Sequence, residues 1–202
     1  MSSSSLLDVL ERARRLGVLG PGPVQDHVVH AQAFVTALEQ VADGALVVDL
    51  GSGAGVPGLV VATARTDLRL VLLDSAERRA ALLEDAVQAL GLAPRVEVVL
   101  GRAEEVGRDP AVRGRAAAVL ARSFGPPAVT AECAAPLLGP GGVLIVSEPP
   151  GGADRWPADR LAALGLVPDP PAMGTVRLLR QVEPCPLTFP RRVGVPAKRP
   201  LF

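Results

Sequence analysis

VVDLGSGAGVPG, residues 47–58, is the stretch whose reading decides the fold. It is entered by a short apolar run, Ala45–Leu50, that is continuous rather than alternating. A strand of that kind is buried on both faces, as in a parallel sheet. The glycines at 51, 53 and 55 then leave no side chain between the strand end and the next helix. A ligand can lie directly on such a backbone. Pro57 suits the first turn of the helix that follows.

Register narrows the ligand. A literal GxGxxG occurs at Gly53–Gly58, but the first glycine after the strand is Gly51. A dinucleotide fingerprint places its first glycine directly after the strand and begins the repeat there. Register therefore argues against a nicotinamide-linked oxidoreductase. Asp49 sits at the strand end, where an anion opposes a pyrophosphate and favours a cation. S-adenosylmethionine carries an ammonium and a sulfonium and no phosphate. The segment DLGSGAG resembles motif I of the Rossmann-like methyltransferases.

Outward from the loop, strands and helices alternate. Toward the N-terminus, residues 5–16 read as an amphipathic helix capped by Ser5, Gly17–Pro23 break it, and residues 24–42 form a second helix. Toward the C-terminus, strands are expected at 69–73, 96–100, 116–121 and 143–146. Helices are expected at 75–90 (closed by Gly91), at 127–138 (stopped by GPGG) and around 159–164. Residues 175–182 alternate Val176, Leu178 and Leu179 with Arg177 and Arg180, as a half-exposed edge strand does. This order predicts an α/β fold with a mostly parallel sheet and helices on both faces. Three segments result: a helical segment 1–44, a core 45–182, and a basic, Pro-rich tail 183–202.

Composition sets limits on function. The 202 residues carry 21 basic and 21 acidic side chains, a formal charge of +0, so the chain is not a uniformly basic nucleic-acid binder. Aromatics are 2% of the chain, too few for a base-stacking platform. Cys133 and Cys185 form no CxxC and are read as reduced thiols of a cytoplasmic protein. His27 and His30 have no cysteine or carboxylate cluster near them in sequence, so no metal site is expected. The N-terminal charges follow the apolar patch, the reverse of a signal peptide, and no apolar run approaches the roughly 20 residues of a membrane span. The neutral total conceals a polarity. Arg191, Arg192, Lys198 and Arg199 face only Glu183 within the tail, so a net positive tail balances a net negative body. Five prolines are expected to keep that tail extended and stiff.

Asp74 ends the second strand, where a carboxylate can accept both hydroxyls of a ribose; a helix cap ahead of Ser75 is the alternative. Ser52 lies within the glycine loop. GRAEE at Gly101–Glu105 follows the third strand, either beside an adenine through Ala103 and Glu104 or as solvated charges at a helix start. His27 and His30, at i, i+3, are read as a packed or surface pair before a general base.

Taken together, VVDLGSGAGVPGL, LLDSxxRRxxLLE, GRAEE, Arg122 after the fourth strand, PLLGPGG and FPRRVGVPAKRPL resemble the bacterial small-subunit rRNA guanine-N7 methyltransferases, the glucose-inhibited division protein B family. The similarity runs from about residue 27 to the C-terminus. It implies a class I methyltransferase fold with a reversed last strand. It also implies methyl transfer from S-adenosylmethionine to a guanine N7 of 16S rRNA, alone or in the small ribosomal subunit. Asp49, Gly51, Ser52, Gly53, Gly55, Asp74, Ser75, Ala103, Glu104 and Arg122 would then hold the donor. Arg122 would also line the substrate pocket, and Arg191, Arg192, Lys198 and Arg199 would hold RNA. No general base is expected, because guanine N7 already presents a lone pair. The chain departs from the family pattern at LGPGP in the N-terminal segment, at His30-Ala31, in Ala121-Arg122-Ser123 where SRA is usual, and at Ser147-Glu148-Pro149-Pro150 where Lys-Gly is usual. Those departures keep open a paralogue acting on another RNA or a small molecule, or a non-catalytic binding or regulatory protein.

Overall fold

The structure is a computed structural model that describes residues 5–149, 155–170 and 175–202. Residues 1–4, 150–154 and 171–174, Pro150 among them, therefore lie outside it.

Seven strands form one sheet in the order β3-β2-β1-β4-β5-β7-β6. They are β1 Leu46–Leu50, β2 Arg69–Asp74, β3 Val96–Leu100, β4 Ala116–Ala121, β5 Leu138–Ser147, β6 Leu166–Pro168 and β7 Val176–Gln181. β1 pairs in parallel with β2 on one side and β4 on the other. The strand order therefore reverses between β1 and β4, the point at which open α/β sheets bind ligands beyond their carboxyl ends. β7 runs antiparallel to β5, the reversed strand the resemblance implied.

Successive residues of each central strand point to opposite faces. Val48, Leu50, Leu73, Val119 and Val146 enter one core with Ala131, Cys133 and Leu161. Val47, Leu70, Leu72, Leu120 and Ile145 enter the other with Phe34, Leu59 and Leu83. Two-faced burial explains why these strands read as continuous apolar runs.

The helices are α1 Leu6–Arg15, α2 Val24–Ala37, α3 Gly58–Ala64, α4 Glu77–Ala89, α5 Ala103–Val106, α6 Pro127–Ala134, α7 Ala158–Leu161 and α8 Val195–Lys198. Ser5 caps α1 in a capping box with Asp8. The helical segment is docked on the core by Arg12 on Asp85 at 2.9 Å and by Arg78 donating to the Leu16 carbonyl at 3.1 Å.

Several boundaries differ from the sequence reading. α2 ends at Ala37, five residues before its expected end at 42, because turns lead from Leu38 into β1. Pro57 is the residue before α3, in the N-cap position, and not in its first turn. α6 gives way to a 3₁₀ turn at Ala135–Leu137, and the GPGG expected to stop a helix opens β5. β7 is not an edge strand: β6 pairs with its outer side through Leu166–Pro168. Three residues are too short to show a period, so β6 was not legible.

The tail is not an extended arm. Arg113 donates to the carbonyls of Cys185, Pro186 and Phe189, and Arg108 to that of Pro190. Phe189, Leu201 and Phe202 pack against the core, and Pro196 is buried. The prolines shape a segment that folds back onto α5 and α6.

Candidate active site

A cleft of about 580 Å³ opens at the carboxyl ends of β1, β2, β3 and β4. That volume lies within the range of small-molecule sites. Its floor is the glycine loop. Gly51, Gly53 and Gly55 all have positive φ, at +73°, +57° and +91°, where L side chains are strained. A Cβ at Gly51 would lie 2.6 Å from Phe124 Cδ2, and one at Gly55 would strike Leu59. Packing against Phe124 and Leu59 therefore demands glycine at 51 and 55, and of the three glycines Gly51 and Gly53 line the cleft while Gly55 is buried behind it.

Asp74 stands beside the loop. Its carboxylate accepts from the amides of Gly53 and Ala76 and from Arg79 Nε, all at 2.9 Å. The two readings of Asp74 meet here: it braces the start of α4 and also lines the cleft. Burial raises its pKa, but Arg79 and the two amides more than offset this, and the net direction is down. A ribose diol donating to both oxygens must displace Arg79 or share the carboxylate with it.

Asp49 departs from the expectation. It is 1% exposed and is not among the residues lining the cleft. Its Oδ2 accepts from the Gly58 amide at 3.1 Å, and its Oδ1 has no partner. Burial pushes its pKa up to about 7, with Asp74 adding to the rise and Arg122 opposing it. Asp49 thus acts from beneath the loop and does not meet a ligand's cation directly in this geometry. Ser52 lines the cleft, but its hydroxyl is turned inward and donates to the Asp49 carbonyl. Ser75 is exposed on the rim.

Ala103 and Glu104 line the far wall. Glu104 is no solvated end charge, since its Oε1 accepts from the Gly194 amide of the tail at 2.9 Å. Gly194 and Ala197 complete that wall, so the tail forms part of the donor cleft. Cys133 also lines it but is inert: burial first, then Glu104 and Glu132, pushes its thiol up to about 12.

Arg122 stands where the cleft meets a second cavity of about 430 Å³; the two share Arg122, Ser123 and Phe124. Ser123 is the one non-glycine residue among those described with positive φ, at 56°. Arg122 Nη2 donates to His27 Nδ1 at 2.6 Å, while His27 Nε2 lies 3.2 Å from the carbonyls of Gly20 and Pro21. These contacts assign His27 the tautomer with its proton on Nε2. His27 lines the cleft, but with Nδ1 taken by Arg122 and the proton on Nε2 it fixes Arg122 and offers no free lone pair as a base. His30 lines the second cavity, and burial, then Arg122 and His27, lower its pKa.

Of the tail cations, Arg191 is spent internally. Its guanidinium makes a bidentate pair with Glu132, which is fully buried, at 2.8 and 2.6 Å. Its amide donates to the same carboxylate and its Nη2 to the Arg199 carbonyl. Arg191 is corrected from an RNA contact to an anchor. Arg192, Lys198 and Arg199 are exposed and, among the described residues, in no ion pair.

Sequence reasoning missed Arg79, Phe124 and the Glu132 anchor. It also missed Val18, Leu19 and Gly20, which carry the helical segment into the cleft wall. Phe124, adjoining Arg122-Ser123, and Arg79, inside LLDSxxRRxxLLE, carried a positional hint.

A doubly covered sheet with its cleft over a glycine loop at the β1/β4 switch, and with β7 reversed against β5, has the architecture of a Rossmann-like class I methyltransferase. Solved structures agree on the fold. The antibiotic-resistance methyltransferase Kmr aligns with a TM-score of 0.56 at 18% identity, over 76% of this chain and 91% of that one. An S-adenosylmethionine-dependent methyltransferase from Thiobacillus denitrificans, in complex with S-adenosyl-L-homocysteine, aligns at 0.52 and 22% identity, over 73% and 56%. Residues 22–148 match the family model described as rRNA small subunit methyltransferase G. Ribosomal RNA small subunit methyltransferase G of Prochlorococcus marinus is 40% identical over 76% of this chain and 67% of its own length. That of Pelotomaculum thermopropionicum is 32% identical over 96% and 86%. The chain belongs to the rRNA small subunit methyltransferase G family.

Proposed function

We propose that this protein transfers a methyl group from S-adenosylmethionine to the N7 of a guanine in 16S rRNA, in the cytoplasm. The observation that carries the reading is the junction at Arg122–Phe124, where a donor-sized cleft opens onto a second cavity and the histidine lining that cleft, His27, is committed to Arg122.

The residues of the cleft fit the donor. Gly51 and Gly53 offer bare backbone, Asp74 offers carboxylate oxygens for a ribose, and Ala103 with Glu104 flanks the adenine end, while Gly55 is buried outside the cleft lining. Asp49 supports the loop from below through Gly58. The donor supplies an electrophilic methyl group on a sulfonium. The guanine N7 lone pair forms the new N–C bond as the C–S bond breaks, and no proton leaves N7. A site that holds two reactants in line, without a base, is sufficient for this chemistry. Arg122, held by His27, orients the acceptor. Arg192, Lys198 and Arg199 contact phosphates next to the tail wall.

The test is transfer of labelled methyl to small ribosomal subunits and to naked 16S rRNA from a strain lacking this modification. Primer extension and nucleoside analysis locate the product. N7-methylguanosine at one 16S position is expected; methylation of another RNA or none overturns the reading.

A further inference from the structure

The second cavity holds a residue set that the transfer chemistry leaves unused. Glu148 stands at the end of β5, and its side chain is mostly buried at 16% exposure. Its amide donates to the Thr175 carbonyl at 2.8 Å, which fixes the backbone. Its Oε1 accepts from the indole Nε1 of Trp156 at 2.7 Å. Trp156 is the sole tryptophan of the chain and is 5% exposed, so it acts as a rigid buried donor. Arg155 is 3.8 Å from Oε2, beyond hydrogen-bond distance. A carboxylate accepts at about four lone-pair positions. Among the described residues one is taken by a hydrogen bond, and Glu148 lines the cavity that Arg122 also lines.

We propose that this cavity takes the acceptor nucleobase and that Glu148 selects guanine by its Watson–Crick edge; the assignment rests on the guanine-N7 reading above. Guanine presents two adjacent donors there, N1–H and the N2 amino group. Adenine and cytosine place a ring-nitrogen acceptor beside their amino group, and uracil flanks its single N–H with carbonyls. Only guanine offers a carboxylate two donors side by side, a charge-assisted pair. A base held by that edge turns its opposite edge, which carries N7, back toward Arg122 and the donor cleft. Single-stranded bases are read on these edges once splayed out of a helix. The acidic side chain that departs from the family pattern at this position is thus accounted for as a base reader, held in one orientation by Trp156.

The test compares wild type with Glu148→Gln, which keeps size and can still accept the indole N–H. Calorimetry with S-adenosyl-L-homocysteine checks that the variant's donor site is unchanged. With that ligand present, guanosine and inosine 5′-monophosphates are titrated; inosine lacks the N2 amino group. Loss of one charge-assisted hydrogen bond should weaken inosine against guanosine by about tenfold to a hundredfold in wild type. Glu148→Gln should collapse that ratio toward one and slow methyl transfer to rRNA by a similar factor. Trp156→Phe should weaken the preference less. An unchanged guanosine-to-inosine ratio in Glu148→Gln, or undiminished transfer, overturns the assignment of Glu148. Absence of N7-methylguanosine with the wild type overturns the substrate reading instead.

Discussion

Glu132 on α6 and Asp49 at the end of β1 are both carboxylates with almost no exposure, yet the two regions solve burial in opposite ways. Glu132 is matched by Arg191, with a bidentate pair and a backbone amide on the same group. Asp49 has one amide on one oxygen and nothing on the other, and burial drives its pKa up to about 7. A buried charge with a full partner set is a bolt, and this one fastens the tail that walls the donor cleft. A buried carboxylate without a cation is poised to be neutral, and it lies under the loop that the donor contacts. The first region is built for permanence and the second keeps an electrostatic reserve.

The largest effect expected is on the bolt. Arg191→Ala strands the Glu132 charge and should cost about 3–5 kcal/mol in urea unfolding. Donor affinity should fall with it, because Gly194 and Ala197 would lose their seat. A cost below about 1 kcal/mol would show that the tail is held by its apolar contacts and not by the pair.

The next effect, of order a few kcal/mol, is the pH response of Asp49. Its folded pKa lies above its ordinary 3.8, so the folded state holds a proton that the unfolded state has released. The stability it contributes is complete below about pH 4 and is lost as pH rises toward about 7. Unfolding free energies of wild type and Asp49→Asn, measured over that window, should therefore diverge, with wild type falling relative to the variant as pH rises. Parallel curves would mean that Asp49 is ionised throughout.

The smallest stability effect belongs to the exposed tail cations. Replacing Arg192, Lys198 and Arg199 together by Ala should change stability by no more than about 0.5 kcal/mol per site. It should still reduce the slope of log affinity for rRNA against log salt by about 2, at roughly 0.7 per cation for single strands. An unchanged slope would exclude them as phosphate contacts. Next to Arg191→Ala, this variant separates neighbouring arginines that look equivalent in sequence.

Much of the fold was legible because its signals are local. β3 and β4 fall at their expected residues, β4 because a continuous apolar run bounded by turns admits few alternatives and β3 because Val96, Val98, Val99 and Leu100 form a short β-branched apolar stretch broken only by Glu97. The glycine loop was legible because the positive φ at Gly51, Gly53 and Gly55 imposes the residue type. Asp74, Ala103, Glu104 and Arg122 reach the cleft because strand ends in a parallel sheet share one edge. β6, the inward turn of Asp49 and the fate of Arg191 were not legible, for each depends on a partner remote in the chain.

The sequence by itself determined the parallel strands of the sheet, the donor loop and the family, because backbone conformation and burial period are written in neighbouring residues. Tertiary structure alone decided the roles of the charges. It took Arg191 from the RNA surface to Glu132, committed His27 to Arg122, and set Glu148 against Trp156. The physical reason is that a charged side chain's role follows from its partner and its desolvation. Both are fixed only when distant segments meet.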